Sequence, residues 1–176
     1  AAVNLFMDYY KTVPTRGTKT YTVASSVTVG SVEVTQAQFF YLAAQTIVNI
    51  YNKNYSATIP YKKIGQCTGG QSRTYGSRNA QMSDYIYGFE RQLLYIEENG
   101  KAANYVVFNA NDHNDEGNIT YEAMFMMALE ILFKYDNGGQ VALPDTAYTR
   151  SNVKIENVSP TPTVPPTAAP LPTKPA

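Results

Sequence analysis

Apolar residues recur at spacings of three and four along three stretches of the chain, and this period predicts three amphipathic helices. The first stripe runs from Phe40 to Ile50, the second from Ile86 to Ile96, and the third from Met124 to Tyr135. Each stripe gives a helix one apolar face that must be covered by a neighbour. The pattern therefore predicts helices that pack on one another.

Polar residues with capping character mark the ends of these helices. Thr35 and Gln38 form a capping-box pattern before the first helix, and Ser83 is the predicted N-cap of the second. Asn99-Gly100 is typical of a helix C-terminus, where glycine takes the left-handed conformation. The second helix is therefore expected to end at this dipeptide.

A different period precedes the first helix. From Tyr21 to Val34, valines alternate with polar residues around Gly30-Ser31, which predicts a small β-ribbon with a two-residue turn. Residues Ala2 to Lys11 have helical spacing before Pro14. From Ser159 onward the chain consists largely of Pro, Thr and Ala, which favours a polyproline-like tail without a core of its own.

The three helices belong to a loosely kept internal repeat in which a helix runs into a Gly or Asn turn and then a short extended segment. Such units bury their apolar faces by stacking on their neighbours. We therefore predict an α+β fold, mainly helical, with three stacked helix-turn-short-strand repeats, an N-terminal β-ribbon and a Pro-rich C-terminal tail. The predicted segments are an N-terminal helix and ribbon (1–34), repeat 1 (35–65), a linker (66–82), repeat 2 (83–109), an acidic loop (110–119), repeat 3 (120–149) and a Pro/Thr-rich tail (150–176).

Composition limits the classes of function. The 14 basic and 14 acidic residues are balanced and form no basic cluster, which disfavours binding to nucleic acid. No apolar run is long enough to span a bilayer. Charged residues make up only 16% of the chain, so its surface must be polar through hydroxyl and amide groups, as is common in extracellular proteins. Three sequons, at Asn54, Asn118 and Asn157, would permit glycosylation of a secreted chain.

The order of turn residues resembles the pseudomurein-binding repeat of methanogen cell-surface and wall-lytic proteins. The segment from Ser83 to Val107 carries the best match, with Asn99-Gly100-Lys101 followed by Asn104-Tyr105-Val106. The segment from Gly117 to Pro144 resembles the repeat next best. The segment from Thr28 to Ile64 resembles the variant form that opens repeat clusters in archaeal adhesin-like proteins. Ala103 stands where the family favours proline.

This resemblance implies a non-enzymatic extracellular archaeal protein that attaches to pseudomurein, the glycan and peptide polymer of certain methanogen walls. It implies ligand contacts at Asn99, Asn104, Tyr105, Tyr61 and Pro144, because tyrosine rings and asparagine amides bind sugar or peptide planes without charge. A purely structural role, in which Asn104 and Tyr105 form a turn and pack the strand, is an equally simple interpretation. The alternative function is a structural subunit that self-assembles into an extracellular filament or surface layer.

An acidic segment before the third helix has partial calcium-loop character. Asp112, Asn114, Glu116 and Asn118 offer oxygen ligands at alternate positions, and Ca²⁺ prefers such ligands. Ala123 stands where an EF-type loop would need a bidentate glutamate. Solvated acids near a helix N-terminus explain the cluster equally well. No other cofactor is expected.

Two further motifs have both a functional and a structural explanation. Cys67, the single cysteine, and His113, the single histidine, would be the components of a cysteine peptidase, but neither has the sequence context that positions a nucleophile. Burial as a small apolar residue, or an intermolecular bridge, is the better account of Cys67. The run from Met124 to Met127 could line a partner groove, although core packing explains it better.

Overall fold

The structure is a computed structural model that describes residues 1–8, 11–15, 18–69, 81–108, 117–142 and 152–159. Within these ranges the chain forms helices and short strands in an α+β fold. The helices are α1 (Ala2–Asp8), α2 (Gln36–Tyr51), α3 (Met82–Asn99) and α4 (Tyr121–Asp136). The strands are β1 (Lys11–Thr15), β2 (Thr18–Ala24), β3 (Ser26–Val29), β4 (Val32–Thr35), β5 (Tyr105–Phe108), β6 (Gly117–Thr120) and β7 (Asn152–Val158).

The core lies where α2 contacts both α3 and α4. The apolar stripes predicted for the first two helices are buried almost throughout, and Ile50 at the end of α2 is half-buried. Helix α4 is buried on nearly all sides, and the side chains of Met124 to Met127 are each at most 1% exposed. The core-packing interpretation of the methionine run is therefore confirmed.

Aromatic rings join three of the helices. Phe6 of α1 lies 4.8 Å from Phe39 of α2 and 5.7 Å from Phe125 of α4, measured between ring centroids. Phe39 and Phe125 are themselves 5.6 Å apart with their rings at 64°. Such tilted arrangements place ring edges against ring faces, which is their favourable geometry. The fully buried Phe6 ring thus anchors α1 to the core.

The helix caps follow the sequence in two cases and differ in one. Thr35 and Gln38 make the predicted reciprocal capping box, with the Thr35 backbone N–H donating to Gln38 Oε1 at 2.9 Å. Helix α3 ends as predicted at Gly100, whose φ is 67°. The prediction of Ser83 as N-cap is wrong, because α3 begins at Met82 and the Asp84 carboxylate accepts the Gln81 N–H at 2.7 Å.

The predicted ribbon is present but smaller than expected. Strands β3 and β4 form an antiparallel hairpin around Gly30-Ser31, with Val29 opposite Val32. Strand β2, which the alternation of valines placed in the same ribbon, instead pairs antiparallel with β1 and parallel with β7 in a separate sheet. The bend at Ser25 between β2 and β3 divides the two sheets.

Strand β7 lies in a part of the chain that was predicted to belong to the tail. It runs beside β2 in register from Thr18 opposite Asn152 to Ala24 opposite Val158. The Gln36 amide secures its end, since Nε2 donates to Ala24 O at 2.7 Å and to Asn157 Oδ1 at 2.8 Å. The chain therefore returns to its N-terminal sheet after the last helix.

Two parts of the fold have the same construction. A four-residue strand that pairs antiparallel with the strand before it leads directly into a sixteen-residue helix, first as β4–α2 and again as β6–α4. Corresponding boundaries lie 85 residues apart: 32 and 117, 36 and 121, and the C-caps Asn52 and Asn137. A threonine caps both helices, and its hydroxyl accepts a backbone N–H three residues on. Residues 70–80, before α3, lie outside the described part of the chain.

Candidate functional site

The turn after α3 joins the segments that follow two different helices. Gly100, in the left-handed conformation, donates its N–H to Ile96 O at 2.8 Å and so closes the helix. Its own carbonyl accepts the Gly65 N–H at 2.9 Å, and Gly65 O accepts from Ala102 N at 3.0 Å. Gly65 and Lys101 thereby form a parallel bridge. The predicted extended segment around Ile59 is otherwise without a strand, and this bridge is its backbone pairing with the second unit.

A buried glutamine holds the turn against α3. Gln92 is 0% exposed, and its Oε1 accepts the Ala103 N–H while its Nε2 donates to Ala103 O, both at 3.1 Å. Both polar groups of one residue's backbone are thus satisfied by one side chain. A proline at position 103, as in the repeats that this segment resembles, would remove this N–H. Alanine at position 103 keeps the N–H that Gln92 accepts in this chain.

Asn104 connects three segments. Its Oδ1 accepts from the Thr68 backbone N–H at 2.9 Å and from Thr68 Oγ1 at 3.2 Å, while its backbone carbonyl accepts the Tyr121 N–H at 2.9 Å. Because Oδ1 faces a backbone donor, the orientation of the amide is fixed. Within the described part of the chain, nothing accepts a hydrogen bond from Asn104 Nδ2.

A groove of about 360 Å³ lies over this junction. Its lining consists of Thr68, of Arg91 and Tyr95 on α3, and of the consecutive residues 101–107. Tyr105 and Val107 are 44% and 42% exposed, whereas Val106 between them is buried. The groove therefore combines a polar amide, aromatic surface and exposed apolar surface.

The charge of the groove is positive. Arg91 and Lys101 line it, and none of its described lining residues is acidic. Arg91 is positioned by Tyr87, one helical turn earlier, because the guanidinium donates to the tyrosine hydroxyl at 2.8 Å and lies 5.4 Å from the ring centroid. Neither cation has a carboxylate within ion-pair distance among the described residues.

The remaining ligand residues predicted from the resemblance lie elsewhere. Asn99 donates its side-chain amide to Tyr95 O at 2.9 Å and belongs to the helix end beside the groove. Tyr61 is 53% exposed, donates its hydroxyl to Glu33 O at 3.2 Å and does not line the groove. Pro144 lies outside the described residues. Of these predicted residues, Asn104 and Tyr105 therefore lie together at the groove, and Asn99 lies at the end of α3.

An ion pair next to Tyr61 fixes the segment before the bridge. Lys62 Nζ lies 2.5 Å from Glu97 Oε2 on α3 and 5.7 Å from the ring centroid of Tyr41 on α2. The Lys62 ammonium donates to the Glu97 carboxylate and holds its pKa below the ordinary value. Both partners are exposed, so this pair orients the segment more than it stabilises the fold.

Three polar groups with raised pKa values lie at the start of α4 and just after Gly65. The Tyr121 hydroxyl is fully buried without a hydrogen-bond partner among the described residues, and burial raises its pKa against a smaller opposing effect of the Gln66 side chain. Burial likewise raises the pKa of the Glu122 carboxyl and of the Cys67 thiol. Cys67 is half-buried against the core. A raised thiol pKa is the opposite of the environment that activates a nucleophilic cysteine.

The structure describes some residues of the other predicted sites and not others. Asp112, His113, Asn114 and Glu116 lie outside the described residues, and Asn118 lies on β6, so calcium binding stays a prediction. Among the sequons, Asn54 is exposed in the turn after α2. Asn157 is exposed on β7, where its Oδ1 already accepts from Gln36.

Several residues at the groove had not been predicted from the sequence, namely Thr68, Arg91, Gln92 and Tyr95. The sequence contained a signal for Gln92, because it is a polar residue on the apolar face of α3 between Phe89 and Leu93. The others had none, since their position depends on contacts between distant segments.

Comparison of the chain with protein families, with characterised proteins and with solved structures found no match. Among the described residues, no helix is both long enough and apolar enough to cross a membrane.

Proposed function

We propose that this chain is a non-enzymatic, extracellular archaeal cell-surface protein that attaches to a pseudomurein wall through the groove beside Asn104 and Tyr105. The observation that carries the proposal is the position of the groove. It is formed by the Asn104-Tyr105-Val106 segment on which the family resemblance rests. The turn motif and the surface geometry are independent observations, and Asn104 and Tyr105 are common to both.

The properties of the groove suit a wall polymer. The Asn104 Nδ2 donors and the exposed Tyr105 ring offer hydrogen bonds and a stacking surface on a rigid backbone. Gln92 and the Gly65–Lys101 bridge fix that backbone before a ligand arrives, which lowers the entropic cost of binding. The groove includes residues from the segments after α2 and α3, and the matching β4–α2 and β6–α4 constructions relate only the first and third of the three predicted units.

The decisive experiment is a pull-down of the folded chain on purified pseudomurein, with bacterial peptidoglycan in parallel. Retention on pseudomurein should be lost in Asn104→Asp, which keeps the Oδ acceptors for Thr68 and removes the Nδ2 donors. Tyr105→Ala should also lose retention. Tyr55→Ala is the matched control, because Tyr55 is 71% exposed and does not line the groove. Failure of the unaltered chain to bind pseudomurein would exclude wall attachment.

A second candidate function is a subunit of a self-assembling extracellular filament or layer. The described chain is divided into one three-stranded and two two-stranded sheets, and such small sheets have edge strands on which another copy could pair. Electron microscopy and light scattering of the purified chain test this function. Concentration-dependent filaments without retention on pseudomurein would favour it over wall attachment.

A further inference from the structure

The groove runs along the edge of a strand and not across its face. Successive residues of a strand direct their side chains to opposite faces, yet Tyr105, Val106 and Val107 all border the groove. The surface that these three residues share is the backbone edge of β5. Within the described residues β5 pairs only with β6, which occupies one of its two edges.

The cations are placed where such an extended chain would pass. Arg91 projects from α3 and Lys101 precedes β5 by four residues, and both line the same groove. Lys101 is half-buried and its backbone is fixed by the bridge to Gly65, while Tyr87 holds the Arg91 guanidinium. Two positioned cations without an acidic neighbour among the described lining residues favour a ligand that brings its own negative charge.

We propose that the groove binds an extended peptide bearing carboxylate groups, which adds to the edge of β5 opposite β6 and places a carboxylate between Arg91 and Lys101. The strand edge supplies backbone hydrogen bonds, and the cations select acidic side chains. This inference rests on the proposed wall attachment. It assigns recognition to the peptide portion of the polymer and not to its glycan.

The test uses two capped pentapeptides, one of alternating alanine and glutamate and one in which glutamine replaces glutamate. Calorimetric titration of the full chain should show the glutamate peptide binding at least about tenfold more tightly, because hydrogen bonds between charged groups are the strong ones. The Arg91→Gln, Lys101→Gln double variant should lose this preference. Lys63→Gln removes an exposed cation that does not line the groove and should keep it.

Several results would overturn the inference. Equal affinity for the two peptides, binding of neither, or an unchanged preference in the double variant would each do so. So would displacement of the bound chain from the wall by a soluble polyuronate but not by the glutamate peptide. Circular dichroism confirms that the variants are folded.

Retention on pseudomurein, measured on the same preparations, separates the two proposals. Retention without peptide binding leaves wall attachment intact and overturns only the peptide assignment. Peptide binding without retention supports the ligand class and excludes attachment to this wall.

Discussion

The Gln92 clamp, formed by its two hydrogen bonds to Ala103, gives the sharpest prediction about how this chain holds its groove. We expect Gln92→Met to destabilise the protein substantially, although methionine has nearly the same length and a stronger preference for burial. The replacement removes both hydrogen bonds, one to the Ala103 N–H and one to its carbonyl. These backbone groups belong to a residue that is 5% exposed, so water replaces the lost partners poorly.

The expected magnitude follows from the two orphaned groups. A buried polar group that loses its partner costs about 1–3 kcal/mol, so two such groups cost about 2–6 kcal/mol. Burial of the methionine side chain in place of the amide offsets about 1 kcal/mol of this cost. We therefore expect a loss of about 1–5 kcal/mol, which is a sizeable part of the roughly 5–15 kcal/mol typical of a domain.

Urea denaturation followed by circular dichroism measures this loss. With a typical slope of about 2 kcal/mol per molar, the midpoint should fall by about 0.5–2.5 M. Gln140→Met is the matched control, because Gln140 is exposed and the same change there should shift the midpoint little. A Gln92→Met midpoint equal to that of the control would refute the reasoning, since it would mean that the clamp does not hold the turn.

Three further predictions concern single positions. Tyr121→Phe removes a buried hydroxyl without a partner among the described residues, so urea midpoints should stay unchanged or rise, and a loss above about 1 kcal/mol would contradict the unpaired geometry. Glu122 has a pKa raised by burial above 4.5, so its contribution to stability is present below that ordinary value and is lost as pH rises through the raised pKa. Glu122→Gln should therefore raise the melting temperature at pH 7 and lose this advantage below about pH 4, and a pH-independent difference would refute the assignment. Gly100→Ala should cost about 1–2 kcal/mol in chemical denaturation, because φ is 67° and the added methyl group would meet open space, which leaves backbone strain as the cause. Gly100→Asn should cost less, so equal losses would contradict a conformational origin.

Helix positions were predictable because the relevant signals are local. The stripe from Ile86 to Ile96 and the Asn99-Gly100 stop each depend on residues within a few turns of one another. The Gly30-Ser31 hairpin is equally local. The predicted start of α3 was wrong, because Asp84 captures the Gln81 N–H and the helix begins before Ser83.

Pairing between distant segments was not predictable in the same way. The alternation of Val153 and Ile155 was compatible with a strand, but nothing near it in the sequence indicated β2 as its partner. That partner lies more than 130 residues earlier, beyond any local pattern. The same limit explains why Asn104 and Tyr105 were predicted as site residues while Arg91, on the preceding helix, was not.

The position of Asn104 links binding to the assembly of the fold. Its side-chain Oδ1 accepts a hydrogen bond from Thr68, which follows α2. Its backbone carbonyl accepts the Tyr121 N–H at the N-terminus of α4. The groove therefore requires contributions from segments before and after the turn that carries the family resemblance. A ligand bound there would stabilise all three segments together by mass action. In the proposed binding mode, recognition would consequently be a property of the packed units, and the short motif supplies only the part of the groove that a sequence pattern can indicate.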